Sequence, residues 1–196
     1  MAEVQSQIKG YDYGNVARSP VTLDELRALE ATVGFTDDDR RALRQAGRIL
    51  EPHAEELVDG WRAIIGAQEH LARWFFGPNG KPDDAYKAAV KPRFVQWVVD
   101  LCTKPFDQAW LDYQQEIGLR HTPEKKNATD GRPTPPLVPL RYLLAFVVPV
   151  LSSVQTYLVR AAASPREAER MRIAWTKAVI LSITLWSAPY AKDGLW

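Results

Sequence analysis

Cysteine is all but missing. Cys102 stands alone among 196 residues, so neither an internal disulfide nor a cysteine-cluster metal site can form. A reducing, cytoplasmic setting fits that scarcity. Neither sign of charge is in excess: 25 basic and 24 acidic residues leave a formal net charge of +1. That balance removes the broad basic footprint of a nucleic-acid binder. Long apolar runs are absent as well. The most apolar stretch, Tyr142 to Leu151, lies between Arg141 and Ser152-Ser153, well short of the ~20 residues that span a bilayer. The N-terminus, MAEVQSQIKG, has no apolar core and does not read as a signal peptide. There is no Gly-rich phosphate loop, no HExxH helix and no Gly-x-Ser-x-Gly elbow. Strand-like alternation and internal repeats are also lacking. These absences point to a soluble, cytoplasmic, all-α chain with no nucleic-acid or membrane partner.

What is present suits one helical domain over residues 1–196, with residues 1–20 as an N-terminal extension. Apolar residues make up 46% and tryptophan occurs seven times. So many indoles mean either a large helical core or aromatic walls for a flat ligand. Gly10-Tyr11-Asp12-Tyr13-Gly14 reads as an ordered loop. Thr22 with Glu25 forms a capping box that opens a short helix ending at Gly34. Thr36 and the acids Asp37, Asp38 and Asp39 start the next, broken near Pro52. A helix from His53 to about Gly66 carries Leu57, Trp61, Ile64 and Ile65. A short aromatic helix, Leu71 to Phe76, precedes the turn Gly77–Gly80. Val90, Phe94, Trp97 and Leu101 make the stripe of a helix over about Asp83 to Cys102, with Pro92 inside it. Asp107 caps a helix expected to end on His121. Pro123 to Pro136 is a proline-rich connection. Two long helices follow, roughly Leu137 to Ala161 and Pro165 to Ser187, the second opened by Ser164-Pro165 and Glu167. Both are apolar on more than one face, Leu143, Val147 and Val150 on one and Leu144 and Phe146 on others. Such faces call for burial on two sides, and a second copy of the chain could cover the extra one.

Histidine is nearly as rare as cysteine, with three in the chain. His53 and His70 lie in polar contexts and read as surface residues. His121 differs, because Tyr113, Ile117 and His121 fall four apart on one helical face. Gly118, one turn earlier, offers a place where a flat ligand could approach backbone. An imidazole in that setting suits the proximal ligand of a haem iron. Spacing alone leaves open a second reading, a histidine that merely complements a helix C-terminus. The pairs and runs of acids at Asp37–Asp39, Glu55-Glu56 and Asp83-Asp84 read as solvated helix turns rather than metal sites.

The motifs, taken in order, resemble the protoglobins, single-domain haem proteins with an enlarged globin fold. The likeness runs through Gly10-Tyr11-Asp12-Tyr13-Gly14, Trp61, Arg93-Phe94 with Trp97, and Trp110-Leu111-Asp112-Tyr113-Gln114. It continues through Ile117-Gly118-Leu119-Arg120-His121, Lys125-Lys126-Asn127, Arg141-Tyr142-Leu143 with Ala145-Phe146, Ala174-Trp175, and Leu185-Trp186-Ser187 with Pro189-Tyr190. The resemblance implies haem b with His121 as the metal ligand. It places Trp61 and Phe94 on the distal side, Phe146 on the pocket wall, and Val90 where vertebrate globins carry a distal histidine. Arg93, Tyr113, Ile117, Leu143 and Val150 complete the expected haem-binding set, with Gly118. It also implies reversible binding of O2, CO and NO at a five-coordinate iron, haem edges covered by the N-terminal extension, and a homodimer through the last two long helices. Two positions depart from the family. Arg62 replaces a tyrosine that could donate to bound ligand, and Thr122 replaces a second histidine. A buried, unpaired guanidinium is costly, which leaves Arg62 three placements: outward or on a haem propionate, the two favoured, or donating an N–H to bound ligand.

A buried porphyrin hides several hundred Å2 of apolar surface, on the order of 10 kcal/mol at ~25 cal/mol per Å2. Much of the affinity for haem would therefore survive loss of the axial bond. Other functions stay open on the sequence: a haem enzyme on the same scaffold for nitric oxide or peroxide detoxification, or carbene transfer in an engineered chain. A gas sensor would need a separate partner, since the chain stops soon after its last helix. A cofactor-free helical interaction module would be colourless.

Overall fold

Helix starts fall where side-chain oxygens can take up orphan backbone N–H groups. The computed structural model describes residues 8–192 and 194–196, so the reading of residues 1–7 as no signal peptide lies outside the described residues. Helix α1, Leu23–Thr32, opens on the Thr22–Glu25 capping box. Helix α2, Asp37–Leu50, opens on a second box between Thr36 and Asp39. Pro52 turns its end into a 3-10 segment, Glu51–His53, before α3, Ala54–Gly66. Asp83 caps α5, Asp84–Thr103, and Asp107 caps α6, Gln108–Leu119. Ser164 caps α9, Pro165–Ser187, which runs into a 3-10 turn at Ala188–Tyr190. The described residues are all-α, 67% helical and without a strand; Phe76 and Pro82 form one isolated antiparallel bridge.

Three segments differ from the sequence expectation. The aromatic stretch is split into α4, Glu69–Ala72, and a 3-10 turn, Arg73–Phe75, because Phe76 turns extended into the Gly77–Gly80 loop. The helix expected over Leu137 to Ala161 starts only after Pro139 and is two helices, α7 (Leu140–Ser153) and α8 (Gln155–Ala161). At the break, the Ser152 and Ser153 hydroxyls donate back to the Val148 and Val150 carbonyls, competing with the backbone ladder. The third difference is the end of α6, which bears on the site below. Pro92, by contrast, sits inside an unbroken α5. Ala88, whose carbonyl loses its partner there, is exposed, so water can satisfy it.

Helix α9 is the axis of the fold, packed against α2, α5, α6, α7 and α8. Its Met171, Ala174, Trp175, Ala178 and Leu181 are buried on several faces, and the Trp175 indole donates to the Val150 carbonyl at 3.2 Å. The apolar coverage that called for two-sided burial is thus met within the chain for α9. For α7 and α8 it is not: Leu144, Val148 and Val159 stay 49%, 67% and 60% exposed. Leu140–Ala161 taken as one stretch is long and apolar enough to cross a membrane by length and composition. It is broken at Val154 and lies against α9 on its inner side. The same inner side, with α5 and α6, encloses the cavity.

Candidate functional site

Helix α6 ends two residues before its histidine. Thr122 precedes Pro123, which disfavours helical dihedrals, and the last bonds tighten to His121 N to Gly118 O and Thr122 N to Leu119 O, both 3.0 Å. The side chain still reaches back one turn: His121 Nδ1 lies 2.8 Å from the Ile117 carbonyl. A carbonyl can only accept, so Nδ1 carries the proton and Nε2 keeps its lone pair. Nε2 has no hydrogen-bond partner among the described residues. The backbone is held as well, since the His121 carbonyl accepts from Val138 N at 2.9 Å and from the Tyr190 hydroxyl at 3.1 Å. The Trp186 ring stacks on the imidazole with centroids 5.9 Å apart and planes inclined by 20°. Burial pushes the imidazole below its usual value, the bond to Ile117 opposing that and nearby Lys126 reinforcing it. His121 is therefore neutral at physiological pH. Supports of this kind fix the tautomer and ring orientation of a metal-ligating histidine.

The ring walls a cavity of about 230 Å3 between α4, α5, α6, α7 and the end of α9. One ordered water needs only ~10–15 Å3, so the space suits a large molecule. Val90, Phe94, Leu143, Phe146, Val147 and Val150 make its apolar walls, Ile117 and Tyr113 continue them beside His121, and Arg93 stands at the rim. Burial pushes the Tyr113 phenol up to about 12, so it stays protonated. No other histidine reaches the cavity among the described residues, as His53 and His70 are both exposed. The walls from α5 and α7 carry Val90, Phe94 and Phe146, with Tyr86 and Tyr142 as their hydroxyl-bearing residues and no histidine or carboxylate among the described residues.

Three of the expected residues lie elsewhere. Trp61 is fully buried behind the wall, 5.1 Å from the Phe94 ring and 6.3 Å from Trp97, with its indole donating to Ser153 Oγ at 2.8 Å. Arg62 extends outward, with Nη1 3.5 Å from Asp59 and Nη2 3.4 Å from the Lys87 carbonyl. Gly118 turns away from the cavity. A Cβ there would meet the Trp186 carbonyl at 3.0 Å and its Cα at 3.1 Å. The missing side chain admits α9 rather than a flat ligand, because α6 and α9 cross at that point.

Sequence reasoning assigned no role to several wall residues. Trp74 and Phe75 come from the aromatic stretch whose composition was the signal. Trp97 stands in the helix stripe and beside Arg93-Phe94 in a family motif, and Trp186, Tyr142 and Lys126 stand only within motifs. The indole N–H groups of Trp74 and Trp97 are buried without a partner, which leaves two donors in the cavity wall. At the polar rim, Arg93 pairs with Asp130 at 2.6 Å and donates to the Lys9 carbonyl at 2.8 Å. Arg120 pairs with Glu116 at 2.9 Å and donates to the Gly10 carbonyl. Gly10, at φ +74°, would place a Cβ 2.9 Å from Arg93, so only glycine lets this strap lie flat on the rim. Tyr11 locks it with a 2.7 Å bond to the buried Asp100.

The protoglobin family's sequence profile matches residues 22–196. The chain belongs to the protoglobin family. In structure, this protoglobin is similar to the globin domain of a Geobacter sulfurreducens globin-coupled sensor, with a TM-score of 0.68 at 19% identity. That match covers 85% of this chain and 97% of the sensor domain, and it shows a shared globin fold. No curated protein matches the sequence. Membership supports a globin-type haem and gas-binding role. The protoglobin's own residues fit such a group: a neutral imidazole with an unclaimed nitrogen, an apolar aromatic cavity, and buried indole donors left without partners.

Proposed function

We propose that the whole chain is one haem b-binding unit in which His121 Nε2 is the axial ligand and the apolar walls hold the porphyrin. O2, CO and NO are the ligands this arrangement suits. The observation that carries the reading is the 2.8 Å approach of Nδ1 to the Ile117 carbonyl, which leaves the second nitrogen as a Lewis base in an apolar cavity. When bound, haem iron supplies a reversible site for diatomic gases. Val90, Phe94 and Phe146 exclude water and discriminate by size and polarity. With no distal histidine to shuttle protons, peroxide heterolysis lacks its general acid–base group, which favours binding over peroxidase turnover. Arg62 is turned away and takes no part. Cytoplasmic function accords with the lone cysteine, whose buried thiol is pushed up to about 12.

The exposed Leu144, Val148 and Val159 favour a second copy as the cover of the α7–α8 face. The test of the axial assignment is the absorption spectrum of the ferrous protein. His121→Ala is expected to retain some haem, lose the native five-coordinate band and regain it with added imidazole. Identical ferrous spectra in variant and parent would refute the assignment.

A further inference from the structure

Lys126 is 3% exposed, in the segment just past His121, and is one of the residues that wall the cavity. Nζ donates to the Trp74 carbonyl and to Thr134 Oγ1, both at 2.8 Å, and lies 4.9 Å from the centre of the Tyr86 ring. An ammonium has three N–H groups, so one remains. No carboxylate pairs with it among the described residues. The other cations of the wall are paired, Arg93 with Asp130 and Arg120 with Glu116. A buried charge is kept in proteins when something compensates it. With Arg93 and Arg120 each matched by a carboxylate, Lys126 is the one cation of the cavity wall without an anionic partner among the described residues.

We propose that Lys126 binds a carboxylate of the cavity's ligand, a propionate side chain of the porphyrin, through a charge-assisted hydrogen bond from its remaining N–H. The proposal rests on the haem reading above. It gives the cavity a built-in orientation, since the ligand's acidic edge must lie at the Lys126 end and its apolar edge among Phe94, Phe146 and Val150. It also accounts for retention of a lysine where every neighbouring cation has its own anion.

The test uses the cofactor-free protein and two metal-free porphyrins, protoporphyrin IX and its dimethyl ester, followed by quenching of tryptophan fluorescence. Without iron there is no bond to His121, so only the walls and the acid groups contribute. The wild type is expected to bind the free acid roughly tenfold tighter than the ester, the scale of one charge-assisted hydrogen bond. Lys126→Met is expected to bind both alike, with affinity for the ester unchanged. Lys126→Gln, which keeps a donor for Thr134, replaces it if the methionine variant does not fold. Equal binding of acid and ester by the wild type overturns the proposal, as does a preference that survives in both variants. Failure of the folded wild type to bind either porphyrin overturns the haem reading, and this proposal with it.

Discussion

Glu116 shows how a single carboxylate supports the site from outside. It is buried on α6 and takes Arg120 at 2.9 Å and Lys125 at 2.6 Å. Burial alone would raise its pKa, but the two cations outweigh that and hold it below the usual carboxylate range. A depressed folded value means the native state binds fewer protons than the unfolded chain. The stabilisation is therefore complete above the ordinary carboxylate value and lost as pH falls through the lowered one. Glu116→Gln is expected to be less stable at neutral pH, with the gap to the parent closing as pH drops toward 3. Urea midpoints across that range check it, and parallel curves would count against the ion pairs. Arg120 also holds the Gly10 carbonyl, so the same substitution loosens the strap over the rim.

At the scale of elements, α6 connects a cap to the candidate ligand. Asp107 accepts from Trp110 N at 3.0 Å, and twelve residues of helix then carry Tyr113 and Ile117 to the cavity. Loss of an N-cap typically costs ~1 kcal/mol. Asp107→Ala is expected to lower the unfolding free energy by about that amount, read by chemical denaturation. Because His121 is also held through Val138 and Tyr190, its ferrous spectrum should be unchanged. A large spectral change would show that the cap, rather than the C-terminal contacts, fixes the imidazole. The break between α7 and α8 belongs to this scale too. It keeps Val150 and Phe146 on the cavity while α8 turns to pack on α2 and α9.

For the whole molecule, the open question is what covers α7 and α8. Leu144 and Val148, one turn apart, are 49% and 67% exposed, more than Ile64 of α3 or Ile173 of α9 at 37% each. A double substitution, Leu144→Asp with Val148→Asp, is expected to give a monomer by sedimentation where the parent is expected to give a dimer. Haem content should be the same in both, since neither side chain reaches the cavity. A monomeric parent would sink the second-copy cover.

Much of this was legible in the chain itself. Caps, helix order and the rarity of histidine depend on neighbours within about one turn, so Thr22, Thr36, Asp107, Ser164 and His121 could be read directly. Val90, Phe94, Ile117 and Phe146 were legible as apolar faces, and the structure brings them to one cavity. Tertiary structure alone decided which side of a face met the cavity and which met another helix. Gly118 admits Trp186 of α9, Trp61 lies one layer behind Phe94, and Lys126 faces inward because Trp74 and Thr134, far from it or beyond a loop, supply its acceptors. Periodicity gives the direction of a side chain about its own axis; what stands there is set by packing between segments distant in sequence.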